Sequence, residues 1–130
     1  MENILQKNMV GIFGLGYVGL PLSLTFYRAG FRVIGFDIDQ EKVNKLNNGQ
    51  SYIQHIGSEG IARATKEGLF LATTDFAELK NCYALIVCVP TPLTASRDPD
   101  LSFVENTTRA ITPHLRKGQL FCLPKQCRLY

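Results

Sequence analysis

With 130 residues, 45% of them hydrophobic and 19% charged, the chain has the length and composition of one globular domain. A formal net charge of +3 without any basic run gives no surface for nucleic acid or an anionic membrane. No apolar stretch reaches the ~18 residues of a membrane span, and Met1-Glu2-Asn3 does not open the basic-then-apolar pattern of a secretory signal.

The first element is a short apolar strand, Asn8-Met9-Val10-Gly11-Ile12-Phe13, which ends in Gly14, Gly16 and Gly19. Residues 18–29 run on as a helix. A dinucleotide diphosphate needs this spacing: the first glycine permits the tight turn, the second admits the phosphates close to the backbone, and the third packs helix on strand. The helix N-terminus adds unpaired N–H groups and a partial positive charge. A second strand, Phe31–Phe36, ends in Asp37, which lies 18 residues beyond Gly19. That is close to the ~20-residue separation expected of an acid that holds an adenine ribose. Such a carboxylate accepts from both ribose hydroxyls and repels a 2′-phosphate, which favours NAD over NADP. The alternative is that Asp37 caps the following helix, a role that Asp39 fits better.

Next come a helix over Glu41–Asn48, stopped by Gly49, and a loop over residues 50–57. A helix over Glu59–Glu67 ends at Gly68, and a third strand covers Leu69–Ala72. Asp75 is placed to cap a single helical turn. The fourth strand, Ala84–Val89, is apolar on both faces, as a central parallel strand is, and Pro90 is expected to end it. A loop runs from Thr91 to Pro99. A helix spans about Ser102–Leu115, its start marked by a Ser102–Glu105 capping box or by Asp100. Residues 119–123 read as a fifth strand. The alternation predicts an α/β fold: a Rossmann-type, doubly wound parallel sheet of order 3-2-1-4-5. Its crevice opens where strands one and four diverge, beside Gly14 and Val89.

Cys88-Val89-Pro90-Thr91-Pro92 sits where the second half of a dinucleotide would cross that crevice. The two prolines stiffen the loop, and Thr91 and the local backbone can hydrogen-bond a cofactor; read alone, the segment is better taken as a stiff surface turn. The four cysteines, at 82, 88, 122 and 127, form no C-x-x-C pair. In a chain of this pattern they read as reduced cytoplasmic thiols, with no metal site.

Four segments together resemble the UDP-glucose/GDP-mannose dehydrogenase family. They are Gly14-Leu15-Gly16-Tyr17-Val18-Gly19-Leu20-Pro21, Phe36-Asp37-Ile38-Asp39, Val89-Pro90-Thr91-Pro92 and Asp98-Pro99-Asp100-Leu101-Ser102. The stretch from Thr91 to Ser102 looks most like the UDP-N-acetylglucosamine 6-dehydrogenase branch. The resemblance covers roughly residues 8–120 and implies an NAD-dependent oxidation of a nucleotide-sugar C6 alcohol to a carboxylate. It implies cofactor contacts at Gly14, Gly16, Tyr17, Val18, Gly19, Asp37, Lys42, Val89, Pro90 and Thr91. Val18 would line the cofactor, Asp37 would hold its ribose, Lys42 would lie toward the adenosine and Thr91 toward the nicotinamide. Lys42 also reads as a solvated helix charge, and Tyr17 as a packing residue.

In that family the nucleophilic cysteine and its assisting lysine, asparagine and acid follow the NAD domain, as do the dimer-forming and sugar-binding domains. None of the four cysteines here matches the catalytic motif, so no catalytic residue is expected. The 130 residues alone are expected to be inactive and to meet a UDP-sugar only within a longer enzyme. After Leu120 the family continues into Glu-Ser-Thr and a Pro-Gly turn, whereas this chain reads Phe121-Cys122-Leu123-Pro124 and ends at Tyr130. Residues 1–120 therefore read as the NAD domain and 121–130 as an atypical tail from a shifted or shortened reading frame. The fifth strand is then a sheet edge, covered by the tail or by a homodimer contact. Two other readings compete: a stand-alone NAD-binding module without catalysis, and a dehydrogenase of the 6-phosphogluconate or 3-hydroxyisobutyrate type. The proline-rich loop and the Asp-Pro-Asp-Leu-Ser stretch argue against the last.

Overall fold

A computed structural model describes the backbone of residues 6–123 and 126–129 and the side chains of residues 8–123. Along the first strand, β1 (Gln6–Phe13), Val10 and Ile12 enter one buried cluster while Met9 and Phe13 enter another. A strand buried on both faces must be covered on both, and that requirement sets the three layers. The sheet has order β3-β2-β1-β4-β5-β6. Its first five strands, β1, β2 (Arg32–Phe36), β3 (Phe70–Thr73), β4 (Cys82–Val87) and β5 (Leu120–Leu123), are mutually parallel.

Three helices, α1 (Gly19–Arg28), α2 (Gln40–Asn47) and α3 (Ser58–Lys66), cover one face. They deliver Leu20, Leu24, Val43, Leu46, Ile61 and Ala64 to the cluster that holds Val10 and Ile12. The other face is covered by a 3₁₀ turn at Phe76–Asn81 and by α4 (Ser102–Ile111), which supply Leu79 and Ile111. The five-strand parallel order is the one the sequence predicts.

Several details differ from expectation. β4 lies two residues earlier than predicted and ends at Val87, before Pro90 is reached. Its partner decides this: β1 stops at Phe13, whose carbonyl takes the last rung from the Cys88 N–H at 2.6 Å. The helix predicted to reach Leu115 stops at Ile111 and tightens into a 3₁₀ turn over Thr112–His114, because Pro113 has no N–H for an α-helical bond. No capping box forms at its start; Asp100 Oδ1 accepts from the Ser102 N–H at 3.0 Å instead. Asp75 does cap the 3₁₀ turn, through the Ala77 N–H.

β5 is not left as an edge, since β6 (Gln126–Leu129) pairs antiparallel with it. The domain boundary expected after Leu120 falls inside β5. Cys122 is disulfide-bonded, which corrects the reading of all four cysteines as reduced. The chain reversal into β6 puts position 127 opposite 122 in the register, a proximity that no C-x-x-C spacing announces. The side chain of Cys127 and the segment Met1–Asn3 lie outside the described residues. Cys82 and Cys88 are free thiols. Among the described residues no helix is long and apolar enough to cross a membrane.

Candidate functional site

At the carboxyl ends of β1, β2 and β4 the chain opens a cleft of ≈ 860 Å³. In an open parallel sheet this is the switch point, where the connections from neighbouring strands leave toward opposite faces. The glycine-rich turn forms one wall. Gly14 has φ of +95°, a conformation open to glycine, and its N–H donates to the Phe36 carbonyl at 2.8 Å. A Cβ on Gly19 would stand 1.7 Å from the Gly14 carbonyl oxygen, so only glycine lets α1 start this close to the turn. Gly16 differs from both, because a Cβ there meets nothing within 4 Å.

Leu15 anchors the wall between them. Its side chain is fully buried over Gly35. Its N–H donates to Asp37 Oδ2 at 2.9 Å, and its carbonyl accepts from the Tyr52 hydroxyl. Asp37 is thereby set at the end of β2 with its second oxygen, Oδ1, accepting from the Asp39 N–H at 3.0 Å. Asp39 is the helix cap: its Oδ1 accepts from the Glu41 and Lys42 N–H groups at 3.0 and 3.4 Å. The alternative in which Asp37 caps α2 is excluded. Among the described residues the N–H groups of Gly16, Tyr17 and Val18 have no acceptor in the protein, as the orphan donors at a helix start require.

Nine of the ten residues expected at the cofactor line this one cleft: Gly14, Gly16, Tyr17, Val18, Asp37, Lys42, Val89, Pro90 and Thr91. The tenth, Gly19, lies behind the wall and serves the packing just described. Lys42 is the one lysine or arginine among the described residues lining it. Three residues at the mouth are apolar and unusually exposed: Tyr17 at 76%, Val18 at 64% and Ile38 at 83%. The floor is aromatic. Phe13 and Phe36 stack with centroids 4.4 Å apart, and Phe76 meets both edge-on. Cys88 also lines the cleft, and burial pushes its thiol pKa up, which disfavours the thiolate.

The opposite wall contains residues that reading the sequence did not single out. Phe103 and Thr107 line it from one side of α4, where an i, i+4 spacing after the proline-rich loop was the available signal. Tyr52 was missed as well; it lies in the 50–57 loop, which carries no motif. The loop after Pro92 folds as a small hairpin, with an antiparallel bridge between Leu93 and Pro99 and the Thr94 N–H donating to the Asp98 carbonyl at 2.8 Å.

These features fit a dinucleotide on chemical grounds. Unpaired donors and open space at Gly16 suit a diphosphate, a carboxylate at the end of β2 suits a ribose diol, and apolar walls suit flat rings. Residues 8–123 match the family described as the UDP-glucose/GDP-mannose dehydrogenase family, NAD binding domain. The UDP-N-acetyl-D-mannosamine dehydrogenase of Pyrococcus horikoshii is 39% identical over 115 residues, which are 85% of this chain and 27% of that protein. The NDP-N-acetyl-D-galactosaminuronic acid dehydrogenase of Ralstonia nicotianae is 36% identical over 115 residues, with 88% and 26% covered. Among solved structures, the GDP-mannose dehydrogenase of Pseudomonas aeruginosa, a ternary complex, superposes with a TM-score of 0.83 at 29% identity over 88% of this chain and 27% of that one. The chain thus spans about a quarter of the length of these relatives.

Proposed function

The chain belongs to the UDP-glucose/GDP-mannose dehydrogenase family, of which it is the NAD-binding domain, and from that premise we infer that it is the cofactor-binding part of a nucleotide-sugar 6-dehydrogenase. One observation carries the reading of the site: the glycine turn, Asp37, Lys42 and the Val89–Thr91 loop, distant in sequence, line a single cleft. When bound there, NAD supplies the hydride acceptor for oxidation of a sugar C6 alcohol. The residues of this chain bind and orient it. The N–H groups of Gly16, Tyr17 and Val18 take the diphosphate, Asp37 takes the adenine ribose, and Val89, Pro90 and Thr91 border the nicotinamide half. Gly14 and Gly19 shape the turn, Gly14 in the cleft wall and Gly19 behind it.

The substrate class is a nucleotide sugar. The Thr91–Ser102 stretch favours a UDP-N-acetylhexosamine, UDP-N-acetylglucosamine by its resemblance, with UDP-glucose the second choice. The relatives reported above act, by their names, on other sugars of this kind, UDP-N-acetyl-D-mannosamine among them. The groups that read the sugar and carry the covalent chemistry belong to the remaining length of such an enzyme. A non-catalytic NAD-binding module would use the same cleft and lack those groups.

Cofactor preference tests the site. Asp37 faces the position of a 2′-phosphate, and two like charges ~4 Å apart at an effective dielectric of ~20 repel by roughly 4 kcal/mol before relaxation. Calorimetric titration is expected to show NAD binding well ahead of NADP, and Asp37→Asn to narrow the gap. NADP binding as tight as NAD in the parent chain would remove Asp37 from the ribose site.

A further inference from the structure

The 50–57 loop grips the glycine turn from behind. The Tyr52 hydroxyl donates to the Leu15 carbonyl, the His55 ring stacks 6.2 Å from the Tyr17 ring, and Lys42 Nζ lies 5.6 Å from the centroid of the Tyr52 ring. Tyr52 itself does not line the cleft, although Leu15, Gly16, Tyr17 and Lys42 all do. The chain has no cis peptide among its described residues, so the Leu15 carbonyl and the Gly16 N–H lie on opposite sides of one planar unit. Holding the carbonyl toward Tyr52 therefore turns the Gly16 N–H away from Tyr52, toward the cleft. That N–H has no acceptor among the described residues. The Leu15 N–H is held by Asp37 in the same way, so both neighbouring peptide units are fixed before any ligand arrives.

The geometry points to Tyr52 as a positioning residue for diphosphate binding: its hydroxyl sets the Gly16 donor, and its ring holds the Lys42 ammonium beside the same cleft. Burial, with the charges of Asp37 and Asp39 behind it, pushes the Tyr52 phenol pKa up, so the group stays a donor at physiological pH. An ammonium within ~6 Å of a ring centroid is attracted to its face, and here that attraction restrains a side chain otherwise free to swing into water. Preorganisation of this kind strengthens binding by reducing what must be ordered when the ligand arrives.

The inference rests on the reading of the cleft as the NAD site, and the test separates the two. Tyr52→Phe keeps the ring and removes the hydroxyl. It is expected to weaken NAD and ADP-ribose about fivefold in calorimetry, the factor that goes with one ordinary hydrogen bond. Adenosine, which lacks the diphosphate, is expected to bind parent and variant alike in an NMR titration. Lys42→Met, at a half-buried side chain lining the cleft, is expected to weaken both diphosphate ligands about threefold, the scale of a partly exposed charge interaction, and to flatten the salt dependence. It answers the question even if the Tyr52 variant does not fold, which thermal melting without ligand reports. Equal NAD affinity in Tyr52→Phe and the parent overturns the positioning role and leaves the cofactor site standing. Equal losses for NAD and adenosine also overturn it, because that pattern is general loosening. A Lys42→Met variant that binds as the parent does removes the ring's part. No NAD binding by the parent overturns the cofactor reading and this inference with it.

Discussion

Gly14 and Gly16 hold different places in the motif, and they are just as different in the fold. Gly14 sits at φ +95° with the Cys88 backbone 3.0 Å from where a Cβ would be, so any side chain there strains the structure itself. Gly16 has open space at that position and an ordinary φ, so a side chain there intrudes only on the cleft. Gly16→Val is therefore expected to lose about 3 kcal/mol or more of NAD binding, as overpacking of a close-fitting contact does. Its unfolding free energy in urea is expected to stay within the ~0.5 kcal/mol typical of a harmless surface change. Calorimetry and urea melts on one preparation check both halves. A valine variant that binds NAD like the parent would place the phosphates elsewhere. Asp37 and Asp39 separate just as clearly: one is tied to the glycine turn through the Leu15 N–H, the other caps α2. Residue type and spacing had already suggested that division.

Among the elements, β5 depends on a side chain that hydrophobic patterning does not reveal. Gln119 is fully buried. Its Nε2 donates to the carbonyls of Leu79 and Cys82, each at 2.8 Å, and its Oε1 accepts from the Arg116 N–H at 2.8 Å. One amide thus joins the approach to β5 to the turn that launches β4. Gln119→Leu would preserve bulk but take the amide from the Cys82 carbonyl and the Arg116 N–H, while the Leu79 carbonyl keeps the Cys82 N–H, and unpaired buried groups cost ~1–3 kcal/mol each before water relaxes into the site. A net loss of about 3 kcal/mol is expected in urea denaturation, with the NAD affinity of the folded fraction little changed. A loss below ~0.5 kcal/mol would show that the bonds are replaced by solvent. A polar residue in an apolar stretch gives no sign of this role, since the two carbonyls it donates to lie 37 to 40 residues earlier.

For the whole molecule, binding and chemistry come apart. The cleft presents unpaired donors, the Asp37 carboxylate and apolar walls, and the thiol among its described lining residues, Cys88, has its pKa pushed up by burial, which disfavours the thiolate. Oxidation of an alcohol needs the substrate hydrogen held near the nicotinamide and a base for the hydroxyl proton, and the step from aldehyde to acid needs a thiolate. The 130-residue chain with NAD and either UDP-N-acetylglucosamine or UDP-glucose is therefore expected to produce no NADH above background at 340 nm, where its absorbance is read. NADH that rises in proportion to protein concentration would assign the chemistry to this domain and discard the reading of it as the cofactor-binding part alone.

Much of this was legible in the sequence because it is written in local signals. Glycine spacing, a strand-terminal acid and alternating apolar runs each reflect a short-range constraint of turn, reach or burial, and together they determined the Rossmann-type order and most of the cleft wall. Boundaries were less secure wherever a partner decides them. β4 ends where β1 runs out of rungs, not where Pro90 stands, and the helix after Ser102 stops short because Pro113 cannot donate. Only the tertiary structure brought Tyr52 to the Leu15 carbonyl, Gln119 to the turn before β4 and β6 alongside β5. The first two contacts join residues far apart in the chain and the third rests on a strand pairing, and their energy comes from satisfying polar groups, which no short-range pattern encodes.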